Sequence, residues 1–435
     1  MLYFAASGEV DSTPCFARSS MPPEVIVFKQ SIRLLLSFAL FLLPLNLAWS
    51  GPYTILHVFL QNEKEPSSGL VLDSAGNAYG TTFVGGPNNA GTVYQLSPTS
   101  GFHVIYAFHG PDGSQLLGSL VADDEGNLYG MADGGGSFSC GENIGCGTVY
   151  KLSPPKAGGT WTETTLYNFS GGADGWAPSG GVVLDSQGNL YGTTAVGGEF
   201  QCGTVFELSP SENGQWTQQT LYAFSGDGCN PGGNLVFDDA GSLYGTAGGG
   251  MWNGGVAFQL SPSPGGPWAY TVLHEFNPNI KDGVYPIGLL FDGLGNLYGT
   301  TLGGGAAGVG TVYQLKPTGG SWMESILHNF LSGDSDGAGP RSNMVFDSEG
   351  RLYGATWDGG PNGYGVIYRL TPTQNGTWVE DVFAMGTGVR GAKPNGPLLL
   401  DGKGHAYGTT ADGGRNKNGQ IGWGVVFRLN IGNAP

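Results

Sequence analysis

The chain has 435 residues, of which 17 are Lys or Arg and 34 are Asp or Glu, and its formal net charge is −17. This charge excludes the basic surface that nucleic-acid binding requires, so we expect no nucleic-acid partner. Glycine contributes 81 residues against an average share of about 7%, but it has no period of three, which excludes a collagen-like helix.

The N-terminus predicts a secretory signal peptide, with Met21 as the better start. Lys29 and Arg33 precede the apolar run 34–47, and small residues then occupy the −3 and −1 positions of a cut before Gly51. The run is shorter than the roughly 20 residues of a membrane span, although an uncleaved anchor is the alternative. After cleavage four cysteines remain, an even number that favours an oxidising compartment.

The rest of the chain is a tandem repeat built on a Tyr-Gly pair. The segment Asn-Ala-Tyr-Gly-Thr-Thr at Asn77 returns as Asn-Leu-Tyr-Gly-Thr-Thr at Asn189 and Asn296. Seven copies, 50 to 62 residues apart, carry the pair at Tyr79, Tyr129, Tyr191, Tyr244, Tyr298, Tyr353 and Tyr407. Such a series predicts one closed repeat body rather than several independent domains.

Each copy predicts four strands, here named a to d. Strand a is an apolar run such as 70–73, and the Asp-x-x-Gly pattern that follows is a tight turn, with Asp capping main-chain amides and Gly in the left-handed conformation. Strand b is the Tyr-Gly-Thr-Thr segment, and a Gly-Gly loop leads to strand c, as at 91–96. Strand d is clearest as Thr-x-x-Thr-Leu-Tyr-x-Phe at 162–169.

These elements predict an all-β fold, a seven-bladed β-propeller with four antiparallel strands per blade. With strand a innermost, the chain begins with an unpaired strand d at 53–59 and ends after an unpaired strand c at 424–429. The N-terminal strand would then close the last blade and leave no free sheet edge. The alternative phase makes 53–59 the first inner strand and provides no closure. We therefore predict a signal peptide at 1–50 and one propeller at 51–435.

The segment Asp-Ser-Ala-Gly-Asn-Ala-Tyr-Gly-Thr-Thr at 73–82, with Gly85-Gly86 and Gly91-Thr92-Val93-Tyr94 after it, resembles the GloVer tandem-repeat family of exported bacterial proteins. The rhythm of strands a and b is also similar to that of NHL-type propellers. The resemblance spans the repeat region and implies an exported protein without an established activity or known catalytic residues. Members often end in a sorting or anchoring segment. Because this sequence ends at Pro435, we expect none here, and a secreted or periplasmic protein.

Histidine is the first candidate for proton transfer at neutral pH, but the repeat explains three of the six. His57, His274 and His328 share one strand d position with Tyr106, Tyr167, Tyr222 and Phe383. A position that accepts all three residue types predicts a flat ring for packing. No two histidines have metal-ligand spacing, so we predict no catalytic residue, no metal site and no cofactor.

The four remaining cysteines predict disulfides. Cys140 and Cys146 lie in one b–c loop, whereas Cys202 ends the next b–c loop and Cys229 lies in the following d–a loop. Both loop types emerge on one end of the blades, which we name the loop face, so a Cys202–Cys229 bridge is geometrically sensible. The connectivity stays open, and a metal site without a supporting His is the alternative.

Carboxylates recur on the same face. Asp precedes Gly in d–a loops or Gly-Gly in b–c loops at Asp112, Asp174, Asp227, Asp282, Asp336, Asp133, Asp358 and Asp412. We interpret them as turn caps. Pairs of them that bind Ca²⁺ or act as acid and base are the alternative.

Tryptophan falls into two sets. One set precedes strand d and predicts packing between blades: Trp161, Trp216, Trp268, Trp322 and Trp378. The other set breaks the repeat and, with two tyrosines, falls in loops of the loop face: Trp176, Trp252, Trp357, Trp423, Tyr285 and Tyr364. Exposed aromatic rings beside carboxylates stack on sugars or anchor a protein partner. These six are the predicted ligand-binding residues, and rings that merely cover the blade ends are the alternative.

The sequence therefore predicts an exported, monomeric, non-catalytic binding or scaffold protein that recognises a glycan or an extracellular protein, with no membrane contact after cleavage. A polysaccharide hydrolase or lyase that uses the loop carboxylates is the first alternative, by analogy with propellers that carry catalysis on this face. A structural component of the cell envelope is the second.

Overall fold

The computed structural model describes residues 53–141, 144–156, 159–385 and 388–432. The predicted signal peptide lies outside them. Their regular structure is β-strand apart from two short 3₁₀ turns, Pro278–Ile280 and Gly388–Arg390. No helix in these ranges is both long enough and apolar enough to cross a membrane.

The described strands form seven antiparallel sheets, one for each repeat. The first strand is β1 (Tyr53–Val58). Blade 1 contains β2 (Glu63–Pro66), β3 (Val71–Leu72), β4 (Ala78–Gly85), β5 (Thr92–Ser97) and β6 (Gly101–Ala107); blade 2 contains β7 (Ser114–Leu116), β8 (Val121–Ala122), β9 (Leu128–Gly134), β10 (Thr148–Ser153) and β11 (Thr162–Asn168); blade 3 contains β12 (Trp176–Leu184), β13 (Leu190–Val196), β14 (Thr204–Pro210) and β15 (Trp216–Ala223); blade 4 contains β16 (Cys229–Phe237), β17 (Leu243–Gly248), β18 (Val256–Ser261) and β19 (Ala269–Glu275). Blade 5 contains β20 (Gly283–Phe291), β21 (Leu297–Gly304), β22 (Thr311–Thr318) and β23 (Ser321–Asn329); blade 6 contains β24 (Gly337–Pro340), β25 (Val345–Phe346), β26 (Leu352–Gly359), β27 (Val366–Pro372) and β28 (Trp378–Ala384); blade 7 contains β29 (Ala392–Leu400), β30 (His405–Asp412) and β31 (Val425–Asn430).

The N-terminal strand closes the ring. In blade 7 the strand order is β1-β31-β30-β29, and β1 pairs antiparallel with β31, from Tyr53 opposite Leu429 to Val58 opposite Val425. The seven-bladed propeller and its closure by the N-terminal strand are therefore confirmed. The inner strands start earlier than predicted, at the loop face, so that segments interpreted as d–a loops are strand.

The a–b turn has the predicted chemistry. Asp73 Oδ1 accepts the main-chain N–H groups of Ala75 and Asn77, both at 2.9 Å, and Oδ2 accepts the Asn77 side-chain amide and the Tyr79 hydroxyl. Gly76 has φ +80°, which a side chain would disfavour. One carboxylate thereby fixes the turn and the first residues of strand b.

Around the central axis, the backbones of neighbouring inner strands approach each other closely at glycine positions. A Cβ atom on Gly118 would lie 1.2 Å from the Gly180 carbonyl oxygen, and one on Gly180 would lie 2.3 Å from that of Gly233. These contacts leave a central cavity of about 220 Å³, lined in part by Ser68 and Arg341. Part of the glycine excess therefore serves the close approach of inner-strand backbones.

The core lies between neighbouring blades. Each tryptophan that precedes strand d packs on the Tyr-Gly tyrosine of the blade before it, with ring centroids 5.8 to 6.4 Å apart, and the pairs are Trp161 with Tyr79, Trp216 with Tyr129, Trp268 with Tyr191, Trp322 with Tyr244, and Trp378 with Tyr298. The predicted packing role of this set is confirmed. A repeat placed in this way buries its apolar faces only against its neighbours.

Candidate functional site

Four of the six predicted ligand-binding aromatics are exposed. Trp252, Tyr285, Tyr364 and Trp423 have between 38% and 53% of their surface accessible. They belong to blades 4, 5, 6 and 7 and lie toward the loop face, where the b–c and d–a connections emerge. A folded protein usually buries much of a ring of this size, so these four residues leave an unusual amount of aromatic surface exposed on the loop face.

Trp176 has a different environment. It is the first residue of β12, is partly buried, and packs with Cys140 and Cys146 in the core between blades 2 and 3. The six-membered part of its indole lies 3.5 Å from the position that a Cβ atom on Gly141 would take. This placement fits a ring that covers the blade end, which the sequence offered as the alternative.

Trp357 lies within β26 and contacts two cations. The Arg341 guanidinium lies 4.4 Å and the Lys393 ammonium 5.4 Å from centroids of its partly buried ring system. Arg341 also lines the central cavity. Lys64 stands in a similar relation to Trp423, at 5.2 Å. Such cation–π contacts hold the indole rings in fixed orientations.

A left-handed residue recurs where each inner strand enters the blade. Its φ lies between 51° and 61° at Glu65, Gln115, Ala177, Asn230, Tyr285, Gly339 and Lys393. In each case the main-chain N–H donates to a carbonyl of the preceding blade, as Tyr285 does to Gly254 at 2.7 Å. The backbone is constant while the side chain varies. The surrounding structure thus holds each of these residues in a strained backbone conformation, and positions of that kind are often functional.

Aliphatic side chains and two phenylalanines extend the exposed surface. The exposed apolar residues in the b–c and d–a connections are Phe138, Ile144, Phe200, Met251, Ile280, Leu331, Val389 and Ile421. With the exposed aromatics they give every blade from 2 to 7 at least one large apolar side chain on the loop face.

Two disulfides stabilise this face. Cys140 pairs with Cys146 within one loop, and Cys202 pairs with Cys229 across neighbouring connections of blades 3 and 4. The prediction of disulfides is confirmed, in the pairing that the loop geometry favoured. Disulfides are typical of an oxidising, extracellular environment.

Most of the predicted carboxylates on the d–a connections are turn caps. Asp174 accepts the main-chain N–H groups of Ser170 and Gly172, and Asp112 accepts that of His109. Burial raises the pKa of Asp112, but hydrogen bonds from Tyr106 and His109 outweigh it and hold the pKa below its usual value. Among the b–c residues, burial raises the pKa of Asp133, whereas Asp358 and Asp412 are exposed.

Two His-Asp-Glu clusters, which the sequence did not predict, lie between blades. Each occupies a slot, by which we mean the space between strand d of one blade, the connection that follows it and strand d of the next blade. In the first, His274 of β19 lies 3.0 Å from Asp282, and Glu324 of β23 completes the group. In the second, the partners of His328 are Asp336 and Glu380.

The histidines do pack as flat rings, as predicted, since His274 meets Phe276 edge to face. The available signal was the spacing His-x₇-Asp, which occurs at 274–282 and again at 328–336. It was overlooked because the glutamate comes from the next blade.

The clusters carry unusual proton affinities. Burial, and after it the charge of Asp282, raises the pKa of Glu324 to about 7. Burial lowers the pKa of His274, but its hydrogen bond to Asp282 and the nearby negative charges, chiefly that of Glu324, together outweigh burial, and the net shift is upward. Glu380 likewise has its pKa raised to about 7, mainly by burial. Each cluster therefore contains a glutamate that gains a proton more readily than an exposed glutamate does.

A larger cavity, about 440 Å³, opens at the opposite end of blades 6 and 7. Its charged lining includes Asp347, Arg351 and His405. These groups serve the a–b turns, because Asp347 pairs with Arg351 at 2.6 Å and His405 pairs with Asp401 at 2.8 Å.

The profile of the Gloeobacter/Verrucomicrobia repeat matches residues 45–247, 139–290 and 230–434. Comparison with curated proteins finds no match. Among solved structures, a candidate 6-phosphogluconolactonase from Bacteroides uniformis aligns with a TM-score of 0.47 and 16% identity, over 86% of this chain and 99% of its own. A candidate oxidoreductase (glucose dehydrogenase) from Thermus thermophilus aligns with a TM-score of 0.42 and 16% identity, over 87% of this chain and 99% of its own.

Proposed function

The chain belongs to the Gloeobacter/Verrucomicrobia repeat family, and from that premise we propose that it is an exported, non-catalytic protein that binds a glycan through its loop face. The observation that carries the proposal is the set of exposed rings at Trp252, Tyr285, Tyr364 and Trp423. Indole and phenol rings present a large apolar face and a polar edge, which suits the apolar faces and hydroxyl edges of sugars.

The surroundings of these rings favour recognition because they restrict movement before binding. Lys64 lies over the Trp423 ring, and the Tyr285 backbone is fixed by its bond to Gly254. The Cys202–Cys229 disulfide joins connections beside the Trp252 loop. Groups that are ordered before binding lose less conformational entropy when the ligand arrives.

Export is supported by two independent features. The disulfides favour an oxidising compartment. The N-terminal sequence has the charge, apolar run and small residues of a secretory signal. Together they favour a secreted or periplasmic protein.

The absence of catalysis is supported by the engagement of the loop carboxylates. Asp112, Asp174, Asp227, Asp282 and Asp336 each accept at least one main-chain N–H group. The hydrolase or lyase alternative would therefore depend on exposed acids such as Asp358 and Asp412, of which Asp412 accepts only the N–H of its own neighbour Gly413. Replacing these two with Asn should leave glycan binding intact and should reveal any turnover by its loss.

The test is the mobility of the purified protein in native gels cast with soluble polysaccharides. We expect retardation by at least one polymer, and its loss in Trp252→Ala and Trp423→Ala. Leu294→Ala is the matched control because Leu294 is 86% exposed but lies in an a–b turn at the other end of the blades. Unchanged mobility with every polymer would contradict the glycan proposal.

A protein ligand is the second candidate. The exposed aliphatic side chains of Met251, Ile280 and Ile421 favour it, since sugar stacking has no use for them. Chemical cross-linking to the surface of the producing cells checks this candidate. Met251→Asp and Ile421→Asp should each remove the cross-linked species, and a pattern unchanged in both variants would count against it.

A further inference from the structure

We propose that the two His-Asp-Glu clusters are binding sites for a divalent transition metal, with Zn²⁺ as the best match, and that each ion joins two neighbouring blades. The first site consists of His274, Asp282 and Glu324, and the second of His328, Asp336 and Glu380. This inference is independent of the glycan proposal.

The geometry of the second cluster fits a tetrahedral ion. Two ligand atoms that each lie about 2.0 to 2.1 Å from a tetrahedral Zn²⁺ are separated by roughly 3.3 to 3.4 Å. His328 Nε2 lies 3.4 Å from Asp336 Oδ1 and 3.6 Å from Glu380 Oε1. The 3.6 Å separation is too long for a good hydrogen bond. In both clusters all three ligand atoms lie within 4.8 Å of one another.

An unsatisfied oxygen in each cluster points to a missing partner. Glu324 Oε1 and Glu380 Oε1 are fully buried, and neither has a hydrogen-bond partner. The Glu380 oxygen is also the atom that faces His328. A buried carboxylate oxygen without a partner destabilises the folded state, and coordination to a cation removes that penalty.

The other slots of the described ring act as internal comparisons. In the slot between blades 7 and 1, His57 takes the place of His274 and His328. The position that holds glutamate in the two clusters is there Phe102, whose ring stacks on His57 with the centroids 3.5 Å apart. In another slot Tyr222 stacks on Tyr270 at 4.3 Å. Asp also occurs beside the strand d ring in other slots, but that ring is then a tyrosine, as with Tyr106 and Asp112. Within the described residues, all three ligand types therefore converge only in the slots of His274 and His328.

The donor set selects the class of ion. An imidazole nitrogen with two carboxylates suits Zn²⁺ and its neighbours, whereas Ca²⁺ prefers six to eight oxygen ligands. The His274 and His328 side chains are 20% and 19% exposed, so an ion can enter from solvent and a water molecule can complete its coordination. Because the glutamate comes from the following blade, each ion would join blade 4 to blade 5, or blade 5 to blade 6.

The test is Zn²⁺ binding to the purified protein after treatment with EDTA, measured by equilibrium dialysis and elemental analysis. We expect two Zn²⁺ per chain, one in Glu324→Gln, one in Glu380→Gln and none in the double variant. Glutamine suits this position sterically, since Gln218 occupies it in blade 3. The cysteines at 140, 146, 202 and 229 are paired in disulfides and offer no thiolate.

The matched control is Glu163→Gln, at the same strand position in blade 2, where the facing ring of the preceding blade is Tyr106 rather than His. It should retain two Zn²⁺. Zn²⁺ should also raise the Tm of the parent and of the control, but not that of the double variant. Failure of the parent to retain Zn²⁺, or two ions in the double variant, would overturn the proposal.

Discussion

The main-chain N–H of Glu65 donates to the carbonyl oxygen of Trp423 at 3.2 Å, across the junction between the first and last blades. The same bond recurs at every blade junction, for example from Gln115 to Ala90 at 3.0 Å. Both donors are held in the left-handed conformation, with φ near 57°. Ring closure therefore depends on a backbone geometry that ordinary residues adopt at an energetic cost.

Relieving this strain should stabilise the protein. A left-handed conformation costs a non-glycine residue roughly 1 to 2 kcal/mol, and glycine loses about 0.5 to 1 kcal/mol through its greater freedom when unfolded. Gln115→Gly should therefore raise the free energy of unfolding by about 0.5 to 1 kcal/mol in urea titrations. Gln115→Val, which adds β-branching, should lower it by more than about 1 kcal/mol. The reverse order of the two variants would contradict the strain.

The tyrosine hydroxyls of strand c should be dispensable. Tyr150 is fully buried and its hydroxyl has no hydrogen-bond partner, and the same strand position carries Phe206 in blade 3. Tyr150→Phe should leave the free energy of unfolding unchanged or raise it by about 1 kcal/mol. Tyr129→Phe is the contrast, because its hydroxyl donates to Asp123; we expect it to lower stability by about 1.5 to 3 kcal/mol.

Stability should fall in acid through the a–b turns. Burial raises the pKa of the Asp185 carboxyl, but hydrogen bonds from Asn189, Gln187 and Tyr191 outweigh it and lower the pKa below its usual value. The folded pKa is thus below the unfolded one, so the stabilisation is complete above about pH 4 and is lost as the pH falls through the folded pKa.

Unfolding free energies measured between pH 2 and pH 6 check this behaviour. Asp185→Asn should be less stable at pH 6 and should show a shallower decline below pH 4 than the parent. Asp124→Asn serves as the control because Asp124 is exposed and outside the turn's hydrogen bonds. Equal slopes in the parent and Asp185→Asn would contradict the assignment.

The two disulfides should differ in their contribution. Cys202 and Cys229 are separated by 27 residues, Cys140 and Cys146 by 6. In the loop-entropy model the longer loop is worth roughly 3.5 kcal/mol and the shorter roughly 2 kcal/mol. Paired Cys→Ala variants compared by urea denaturation should lose stability in that order. A larger loss for the shorter loop would indicate that packing around the buried Cys146 dominates.

The repeat determined what could be predicted from sequence. Asp73, Gly76 and Tyr79 act within a few residues of one another, so their spacing alone specifies the turn and strand b. The seven copies then fix the number of blades, and the unpaired strand at 53–59 fixes the closure. The turn and strand b depend on neighbouring residues, and the blade number and the closure depend on the repeat. Both kinds of feature can be read from the sequence alone.

The features that the sequence did not predict depend mainly on contacts between residues of different blades. Trp357 belongs to strand β26 rather than a loop, and its two cations come from the residue directly after β24 in blade 6 and from β29 in blade 7. The His274 cluster needs Glu324, fifty residues later in the chain. The left-handed residues were missed because most of them precede proline, a context that predicts extended backbone.

The pairing of β1 with β31 also has a consequence for the order of folding that we expect. Blades 1 to 6 consist of consecutive segments and can form from local contacts, whereas blade 7 joins strands about 370 residues apart. We therefore expect the ring to be the last structure to form, with β31 presenting an open edge until then. A circular permutant in which β1 follows β31 would make every blade contiguous, and it should reach the native state faster without any change in the contacts of that state.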